Sequence, residues 1–546
     1  MQSRRVNPWA VLVVLSLGLF MTLLDLTIVN IAIPSLVDGI HASLDQVLWV
    51  LNAYSLAYAV LLITSGRLGD VLGPRTLFVA GLVVFTAASA FSGLAHDPTQ
   101  LIAGRAAQGV GAALLAPQSL AILLSIFPPE RRGPTFAVFG ILAGLAVVAG
   151  PTLGGFIVTN VGWRWIFYVN VPVGIAVVVA ALLLVPDIRP GRRHRLDLLG
   201  VALATAGLFC LVFGLIEGQR YDWGTVTGFL TIPEIIGAGV ALLLVFLGTQ
   251  ALRQGREPLL PFAVFRDRNF SVMALVLCAM GFAVVGLYLP LTIYYQSVLG
   301  LSAVAAGLTI AAQPVAMVLA SGITNMLAGR FGGKYVLMPG LVLFAAGSAY
   351  IDWVAHVGAS RWTFLPGLIA SGVGLACVWG PAYAIATRDL KPQLAGVASG
   401  VVNTIMELGG VIAAASVGAL LQNRLAVALH DRAVGYSAQL PDQFRSRFVD
   451  AFNSAAKSGL QVGAGQSGAS LALPAGVPTQ VVLQLHQLSH EVFTNAFVSA
   501  MRPTLLLPIV VILLVAISCL GVRNRPPVSQ TAEGAEDTQA EASTAA

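Results

Sequence analysis

The stretch WAVLVVLSLGLFMTLLDLTIVNIAIP, from Trp9 to Pro34, decides the fold of this chain. It is long enough to cross the hydrocarbon core of a bilayer as a helix, which takes about 20 apolar residues. Its one charged residue, Asp25, lies well inside that helix. An acid near the membrane centre costs roughly 2.5 to 3.5 kcal/mol on insertion scales, so by default it marks a proton, ion or substrate site. The alternative is an acid that a neighbour neutralises for packing alone.

The composition extends this picture to the whole chain. Of the 546 residues, 57% are hydrophobic and 10% are charged, and the mean hydropathy is +0.85. These values lie outside the range of soluble globular domains. Apolar runs of spanning length begin near residues 9, 47, 76, 99, 135, 165, 197, 227, 270, 304, 335, 363, 397 and 498. They predict an all-α polytopic membrane protein with fourteen spans.

The basic residues predict the orientation, because Lys and Arg in short loops stay on the cytoplasmic side. The short loops of one face, with the two termini, contain Arg4, Arg5, Arg67, Arg75, Arg131, Arg132, Arg189, Arg192, Arg193, Arg195, Arg253, Arg256, Arg266, Arg268, Arg330, Lys334, Arg388, Lys391, Arg523 and Arg525. The opposite short loops contain Arg164, Arg220 and Arg361. We therefore expect both termini in the cytoplasm. The net charge of +6 then follows from topology and gives no support to a nucleic-acid partner.

The spans fall into a six, two, six arrangement. A faint repeat supports it, because GRLGDVLGPRTLFVAG at 66–81 aligns with NMLAGRFGGKYVLMPG at 325–340, each in the turn after the second span of its half. Repeated halves are typical of transporters, which hold substrate between them near the membrane midplane. The predicted units are an N-terminal six-helix bundle (1–186), two inserted helices with their cytoplasmic connection (187–269), a C-terminal bundle (270–421), an extracytoplasmic loop (422–497), a last span (498–521) and a disordered cytoplasmic tail (522–546).

Within the extracytoplasmic loop, residues 441–460 and 479–497 are amphipathic, and the Gly/Ser-rich segment KSGLQVGAGQSGAS joins them. They predict either a hairpin of helices over the outer mouth or a plain surface excursion.

Motifs for other energy sources and for enzymes are missing from the sequence. The single Gly-Lys pair, Gly333 with Lys334, is followed by Tyr335 and not by the Ser or Thr of a phosphate-binding loop, so we expect no ATP. The HExxH and GxSxG motifs of hydrolases are absent, and the four cysteines lie inside apolar runs. We therefore expect no enzyme, cofactor or metal site. An ion gradient remains as the energy source.

Charged residues inside the spans are the candidates for coupling to that gradient. Asp25 in the first span and Arg105 in the fourth lie at similar depth, and Gln108 is one helical turn from Arg105. A substrate entering beside such a pair could load or release a proton. A static ion pair that only joins two helices is the alternative. Glu407, near the centre of the thirteenth span, is a second protonation candidate, with snorkelling or packing as its alternative.

The segment GILAGLAVVAGPTLGG at 140–155 is rich in small residues. Gly150, Gly154 and Gly155 allow close backbone approach, while Pro151 removes a helix hydrogen bond. This pattern predicts either a bent helix that seals against leak or simple packing of small residues.

Aromatic and amide side chains inside the spans are predicted to line a cavity for an amphiphile, although each has a packing role as its alternative. These residues are Tyr54, Tyr58, Gln108, Gln118, Gln313, Trp379, Tyr383 and Asn403.

Five motifs in order resemble those of the major facilitator superfamily, in particular its fourteen-span drug:proton antiporter branch, over most of residues 9–521. They are LDLTIVNIAIP at 24–34, GRLGDVLGPR at 66–75, LIAGRAAQGVGAA at 101–113, AGPTLGG at 149–155 and WRWIFYVNVPVG at 163–174. The resemblance implies a major facilitator fold of two six-helix bundles plus two extra central helices.

The resemblance also implies roles for particular residues. Asp25 and Arg105 are implied in proton coupling, and Gly150 with Pro151 is implied to bias the protein toward exchange. Glu407 stands where relatives often carry an amide, after a methionine in place of a basic residue, which marks a subgroup.

A cytoplasmic gate is the third implied feature. The resemblance assigns it to Asp70 with Arg67 and Arg75. Val71 and Pro74 stand where the family usually has basic residues, so the resemblance implies a thinner network of charges here.

These observations predict a proton-coupled antiporter in a bacterial inner membrane that exports amphiphilic, drug-like or antibiotic-like small molecules by alternating access. Two alternatives remain open. One is export of a self-made metabolite or lipid by the same mechanism, and the other is a membrane receptor or scaffold that transports nothing.

Overall fold

The computed structural model describes residues 7–40, 44–187, 197–218, 221, 223–254, 258–388, 394–457 and 479–522, and these residues are mainly helical. The helices are α1 (Pro8–Ile31), α2 (Ile33–Ile40), α3 (Leu44–Leu72), α4 (Pro74–Leu94), α5 (Pro98–Ile126), α6 (Pro129–Asn160), α7 (Trp165–Tyr168), α8 (Asn170–Leu184), α9 (Leu198–Glu217), α10 (Ile232–Leu252), α11 (Ala263–Arg266), α12 (Arg268–Ile293), α13 (Ala303–Ile310), α14 (Ala312–Phe331), α15 (Gly333–Val354), α16 (Leu365–Thr387), α17 (Ala395–Ser437), α18 (Asp442–Lys457) and α19 (Thr479–Ser518). The antiparallel strands β1 (Thr225–Thr227) and β2 (Leu230–Thr231) form a small hairpin before α10.

Among the described residues, thirteen helical segments are long and apolar enough to cross a membrane. This confirms the predicted class, an all-α polytopic membrane protein. The predicted fifth span coincides with α6, whose 32 residues are long enough to cross but which is not one of the thirteen. The count of fourteen spans therefore stays a prediction.

The spanning helices form two bundles. In the first, α1 packs on α6 and α5 packs on α3 and α4; in the second, α12 packs on α17 and α16 packs on α14 and α15. The bundles meet where α3 crosses α17 and where α6 packs on α14 and α16. The two inserted helices, α9 and α10, pack on each other, and α9 also packs on α3 and α17. This places α9 beside a junction of the two bundles.

The internal repeat is visible in the backbone. Gly73 precedes α4 with φ 92° and ψ 133°, and Gly332 precedes α15 with φ 96° and ψ 140°. Side chains with a Cβ rarely adopt such positive φ values, so both turns require glycine. The aligned sequence segments therefore build the same turn in both halves.

Beyond the membrane the structure differs from the expected loop that starts at residue 422. Helix α17 continues without a break to Ser437, and α19 is continuous from Thr479 to Ser518. A 30 Å core needs only about 20 residues, so both helices extend well past it. The reason is an apolar stripe on the extensions, including Leu425, Leu429 and Val492, that is buried with Phe448 and Phe452 of α18.

The two amphipathic segments predicted in this region are confirmed as helices, α18 and the start of α19. The predicted Gly/Ser-rich joint lies almost entirely in residues 458–478, and the predicted tail lies almost entirely in 523–546; both of these ranges are outside the described residues.

Candidate functional site

Asp25 is fully buried in α1 and its carboxylate is surrounded by donors. Arg105 of α5 donates from Nη1 to Oδ2 and forms an ion pair with it. Oδ1 accepts from Gln108 Nε2 at 3.0 Å and from Asn170 Nδ2 at 3.1 Å. Three charge-assisted hydrogen bonds are what a buried carboxylate needs in place of water. The contact between Asp25 and Arg105 that the sequence suggested is therefore present.

Arg105 is held in place from the side of α3. Its Nε donates to the carbonyl of Val50 at 3.1 Å, and its guanidinium carbon lies 4.5 Å from the centre of the Tyr54 ring. The Tyr54 hydroxyl in turn donates to the carbonyl of Thr22 in α1, at 3.3 Å. A guanidinium over an aromatic face gains about 2 kcal/mol when desolvated. The position of α3 therefore fixes the cation that faces Asp25.

A second layer of polar groups lies behind the carboxylate. Ser89 Oγ of α4 accepts from Gln108 Nε2 and from Asn170 Nδ2, both at 3.1 Å, and donates to the Phe167 carbonyl at 2.9 Å. Gln108 Oε1 accepts from Arg105 Nη1 at 3.0 Å. The four side chains around Asp25, which are Ser89 of α4, Arg105 and Gln108 of α5 and Asn170 of α8, thus form one connected network.

Sequence reasoning missed Ser89 and Asn170. Asn170 is a single amide among mainly apolar residues of the motif WRWIFYVNVPVG at the start of α8. A lone polar side chain in such a run could have indicated a buried hydrogen-bonding role. Ser89 gave no signal, because serines bonded to their own helix are common in spans.

Helix α6 packs very closely on α1 beside Asp25. A Cβ built on Gly150 would lie 2.0 Å from Thr27 Oγ1, and one on Gly154 would lie 2.8 Å from Ile28 Cγ1. Thr27 Oγ1 also donates to the Ala146 carbonyl at 3.2 Å. Pro151 and Gly155 lie in the same helix, and the side chain of Pro151 is outside what the structure describes. The glycine-rich face therefore contacts the helix turn that follows the buried acid.

Glu407 lies in α17 at the junction of the two bundles. It interacts electrostatically with Tyr58 of α3 and Tyr383 of α16. Tyr54 and Tyr58 stack with their ring centres 6.2 Å apart, so aromatic rings connect the surroundings of Glu407 to Arg105. Among the residues that the structure describes, no hydrogen bond or ion pair reaches the Glu407 carboxylate. Asp25, by contrast, accepts three hydrogen bonds, so the two buried acids differ in how their carboxylates are satisfied.

The other predicted cavity residues are distributed over both bundles. Gln118 donates to the Ser65 carbonyl at 2.8 Å within the first bundle, and Gln313 donates to Ser371 Oγ at 2.9 Å within the second. Asn403 donates to the Ser399 carbonyl of its own helix, at 2.9 Å. Trp379 packs on the core of the second bundle. The structure therefore brings Tyr54, Tyr58, Tyr383 and Glu407 together, with Asn403 and Trp379 one helical turn from Glu407 and Tyr383, whereas Gln118 and Gln313 are bonded inside separate bundles.

The predicted gate residues lie where α3 approaches α17 on the predicted cytoplasmic side. Arg67 Nη1 is 3.7 Å from Asp70 Oδ2. One turn before Asp70, a Cβ on Gly400 of α17 would lie 3.5 Å from Gly66 Cα. Arg75 instead donates from Nη2 to the Leu182 carbonyl at the end of α8.

Comparison with known proteins agrees with this architecture. The sequence profile of the Major Facilitator Superfamily matches residues 15–414. An uncharacterised MFS-type transporter of Mycobacterium tuberculosis is 40% identical over 420 residues, which is 77% of this chain and 71% of that protein. The tetracenomycin C resistance and export protein of Streptomyces glaucescens is 34% identical over 434 residues, 78% of each chain.

A solved structure gives the same fold at lower sequence similarity. The human organic anion transporter MFSD10 (TETRAN) aligns with a TM-score of 0.57 and 14% identity, covering 94% of this chain and 100% of its own. With a profile match over most of the chain and two relatives above 30% identity, this multi-pass membrane transporter belongs to the major facilitator superfamily.

Proposed function

We propose that the protein is a proton-coupled antiporter that exports amphiphilic, drug-like or antibiotic-like compounds by alternating access. The observation that carries this proposal is the buried Asp25 carboxylate, with its ion pair to Arg105 and its bonds from Gln108 and Asn170. Ionisable groups inside a membrane are costly and usually functional. ATP binding has no motif in the sequence to support it.

Proton exchange at Asp25 requires competition between H⁺ and Arg105 for the same carboxylate oxygen. When Oδ2 takes a proton, the acid becomes neutral and its hold on the guanidinium weakens. Arg105 then keeps its contacts with the Val50 carbonyl and the Tyr54 ring of α3 and with Gln108 of its own helix, but loses its partner in α1. Protonation therefore changes how α3 is tied to α1 and α5, and this is the conformational element that we assign to coupling.

The substrate cavity is proposed at the junction of the bundles, around Tyr58, Tyr383 and Glu407. The aromatic faces offer apolar and cation–π contacts, and the carboxylate offers a counter-charge or a second protonation site. Substrate and proton must favour opposite states of the protein, since otherwise each would leak through alone. Inward proton movement supplies about 2.3 kcal/mol per charge for each 100 mV of membrane potential.

The cytoplasmic gate is proposed at the contact of α3 with α17. Gly400 lets the two backbones approach, and the Arg67–Asp70 pair lies one turn further toward the predicted cytoplasmic side. There α17 begins at Ala395, and the N-terminal end of a helix attracts an acid such as Asp70. Opening of this contact would expose the cavity to the cytoplasm. The close contact of Gly150 with Thr27 is proposed to seal the neighbouring α1–α6 interface against leak.

The names of relatives support the substrate class. A tetracenomycin C resistance and export protein and a puromycin resistance protein are 34% and 33% identical to this chain. We extend the class, antibiotic-like amphiphiles, to this protein. The positive loops support the proposed orientation in a bacterial inner membrane, with both termini on the cytoplasmic side.

Export from proteoliposomes with an imposed pH gradient tests the proposal, with ethidium, puromycin and doxorubicin as probes. We expect at least one probe to move only when the gradient is present. Asp25→Asn should insert normally and lose this transport, while Asp431→Asn, which alters an exposed acid on the α17 extension, should keep it. Export that continues without a gradient contradicts proton coupling. If lipids or native metabolites move and no probe does, the metabolite or lipid alternative is favoured instead.

A further inference from the structure

The inserted helix α9 lies across the junction of the two bundles. One apolar cluster buries Leu208 and Val212 of α9 together with Leu56 and Val60 of α3, and Leu408 of α17 packs against it. Helix α9 therefore contacts both bundles, at α3, which holds Arg105, and at α17, which carries Glu407. In a repeat of two six-helix halves, the inserted pair has no counterpart and needs a separate explanation.

A buried polar contact fixes α9 to the outer part of α3. Asn52 Nδ2 donates to Glu217 Oε1 at 3.3 Å, and the Glu217 side chain is only 2% exposed. Trp49 and Phe213 pack beside it with their ring centres 5.8 Å apart. A buried carboxylate is costly unless it is hydrogen-bonded, so this contact specifies where α3 meets α9 and does more than fill space.

Asn52 lies between the two residues that hold Arg105. Val50 supplies the carbonyl that accepts from Arg105 Nε, and Tyr54 supplies the ring below its guanidinium. Residues 50 and 54 are one turn apart and share one face of α3, whereas residue 52 points to the other side. Helix α3 thus lies between Glu217 on one face and the Arg105–Asp25 pair on the other.

We infer that Glu217 is a positioning residue for proton exchange, which rests on the proposed role of Asp25. By binding Asn52, Glu217 holds the outer turns of α3 at the distance where Val50 and Tyr54 keep Arg105 on Asp25. The inserted pair then acts as a brace for the coupling site. Loss of the brace leaves Arg105 less restrained, so Asp25 takes up a proton more readily.

Infrared difference spectroscopy of the full-length protein in liposomes tests this without any substrate. The signal is the carbonyl band of a protonated carboxylic acid that Asp25→Asn removes, followed as a function of pH. We expect Glu217→Ala and Asn52→Ala to move its midpoint to higher pH by about half a unit, which is about threefold in proton affinity. The double variant should move it no further than the larger single change, because both break one contact.

Two matched variants separate positioning from general damage. Glu217→Gln keeps an oxygen that accepts from Asn52 and should titrate like the wild type. Leu208→Ala weakens the same α9–α3 interface nearer the cytoplasmic side and should leave the midpoint unchanged. If Glu217→Ala fails to insert, Asn52→Ala carries the test alone.

Three results would overturn the inference or its foundation. Wild-type midpoints in both Asn52→Ala and Glu217→Ala, or an equal shift in Leu208→Ala, show that Glu217 does not position the site. Absence of any titrating band that depends on Asp25 in the wild type contradicts the proposed function itself.

Discussion

Arg75 and Lys334 make the same contact in the two halves of the protein. Arg75 donates to the Leu182 carbonyl in the last turn of α8, and Lys334 Nζ donates to the Leu520 carbonyl at 2.7 Å, just after α19. Each helix is the last of its bundle. Carbonyls in the last turn of a helix lack partners within the helix. The Leu182 carbonyl would otherwise accept from the N–H of residue 186, but residue 186 is a proline and has no N–H. The repeated basic residue is therefore a helix cap in both halves.

Removing either cap should lower stability modestly. A cation at a helix C-terminus is worth about 0.3 to 1 kcal/mol, so we expect Lys334→Met and Arg75→Met each to lower the free energy of unfolding by about that amount. Lys334→Arg should restore it, because the charge and the donors return. Thermal unfolding in detergent measures the change. Full stability combined with lost export in Arg75→Met would instead favour the gate role that the resemblance implied.

The contact of α6 with α1 should not tolerate even one methyl group. Gly150→Ala would bring its Cβ to 2.0 Å from Thr27 Oγ1 and 3.1 Å from the Thr27 carbonyl carbon, so the helices must separate. Overpacking of this kind costs about 1 to 3 kcal/mol. We expect a lower unfolding temperature and a faster passive proton leak in liposomes. The matched control is Gly248→Ala in α10, where nothing lies within 4 Å of the new methyl; equal behaviour of the two variants would refute the contact.

Asn170 should matter for coupling although it carries no charge. Asn170→Ala removes a donor at 3.1 Å from Asp25 Oδ1 and leaves part of that acceptor unsatisfied. Such a loss costs about 1 to 3 kcal/mol, so proton-driven export should fall about tenfold. Asn325→Ala is the control, since the Asn325 amide donates to the Ser321 carbonyl of its own helix and, within the described part of the chain, to no other group. Comparable export rates of the two variants would show that Asn170 is dispensable.

The inserted pair should show a pH-dependent stability at its predicted cytoplasmic end. Burial opposes ionisation of Asp197, but bonds from the Gly200 amide, Gln250 and Arg253 outweigh it, and the pKa of Asp197 falls below its ordinary value of 3.8. A group with a lowered pKa stabilises the fold above that ordinary value and loses its contribution as the pH falls below it. The stability difference between wild type and Asp197→Asn should thus be constant from about pH 5 to 7 and shrink below about pH 4.

Thermal unfolding over this pH range checks the prediction. Asp442→Asn is the control, because Asp442 is 89% exposed in its pair with Arg445 and such surface pairs contribute little. A difference between wild type and Asp197→Asn that grows on acidification would contradict the assignment.

The contact between Asp25 and Arg105 could be predicted from sequence because hydropathy fixes the depth of each residue in the membrane. The partners Ser89 and Asn170 could not, since depth says nothing about which faces of α4 and α8 turn inward. The partner of Arg75 could not be predicted either, because it is a backbone carbonyl and every residue has one.

The extension of α17 to Ser437 could not be predicted from the sequence either. Residues from 422 onward are polar enough to suggest a loop. Leu425 and Leu429 are buried by residues of α18 and α19, which come later in the chain, so their burial could not be inferred from the local sequence. The repeat, by contrast, was visible because glycine at 73 and at 332 is required by the backbone itself.

The most direct measurement of the central claim is the number of protons released when substrate binds to the purified protein in weakly buffered solution. The compound should be one that the wild type exports, added at saturating concentration. We predict release of about one proton per bound molecule in the wild type and none in Asp25→Asn, which cannot hold an exchangeable proton at that position. Equal release in both proteins would contradict the account.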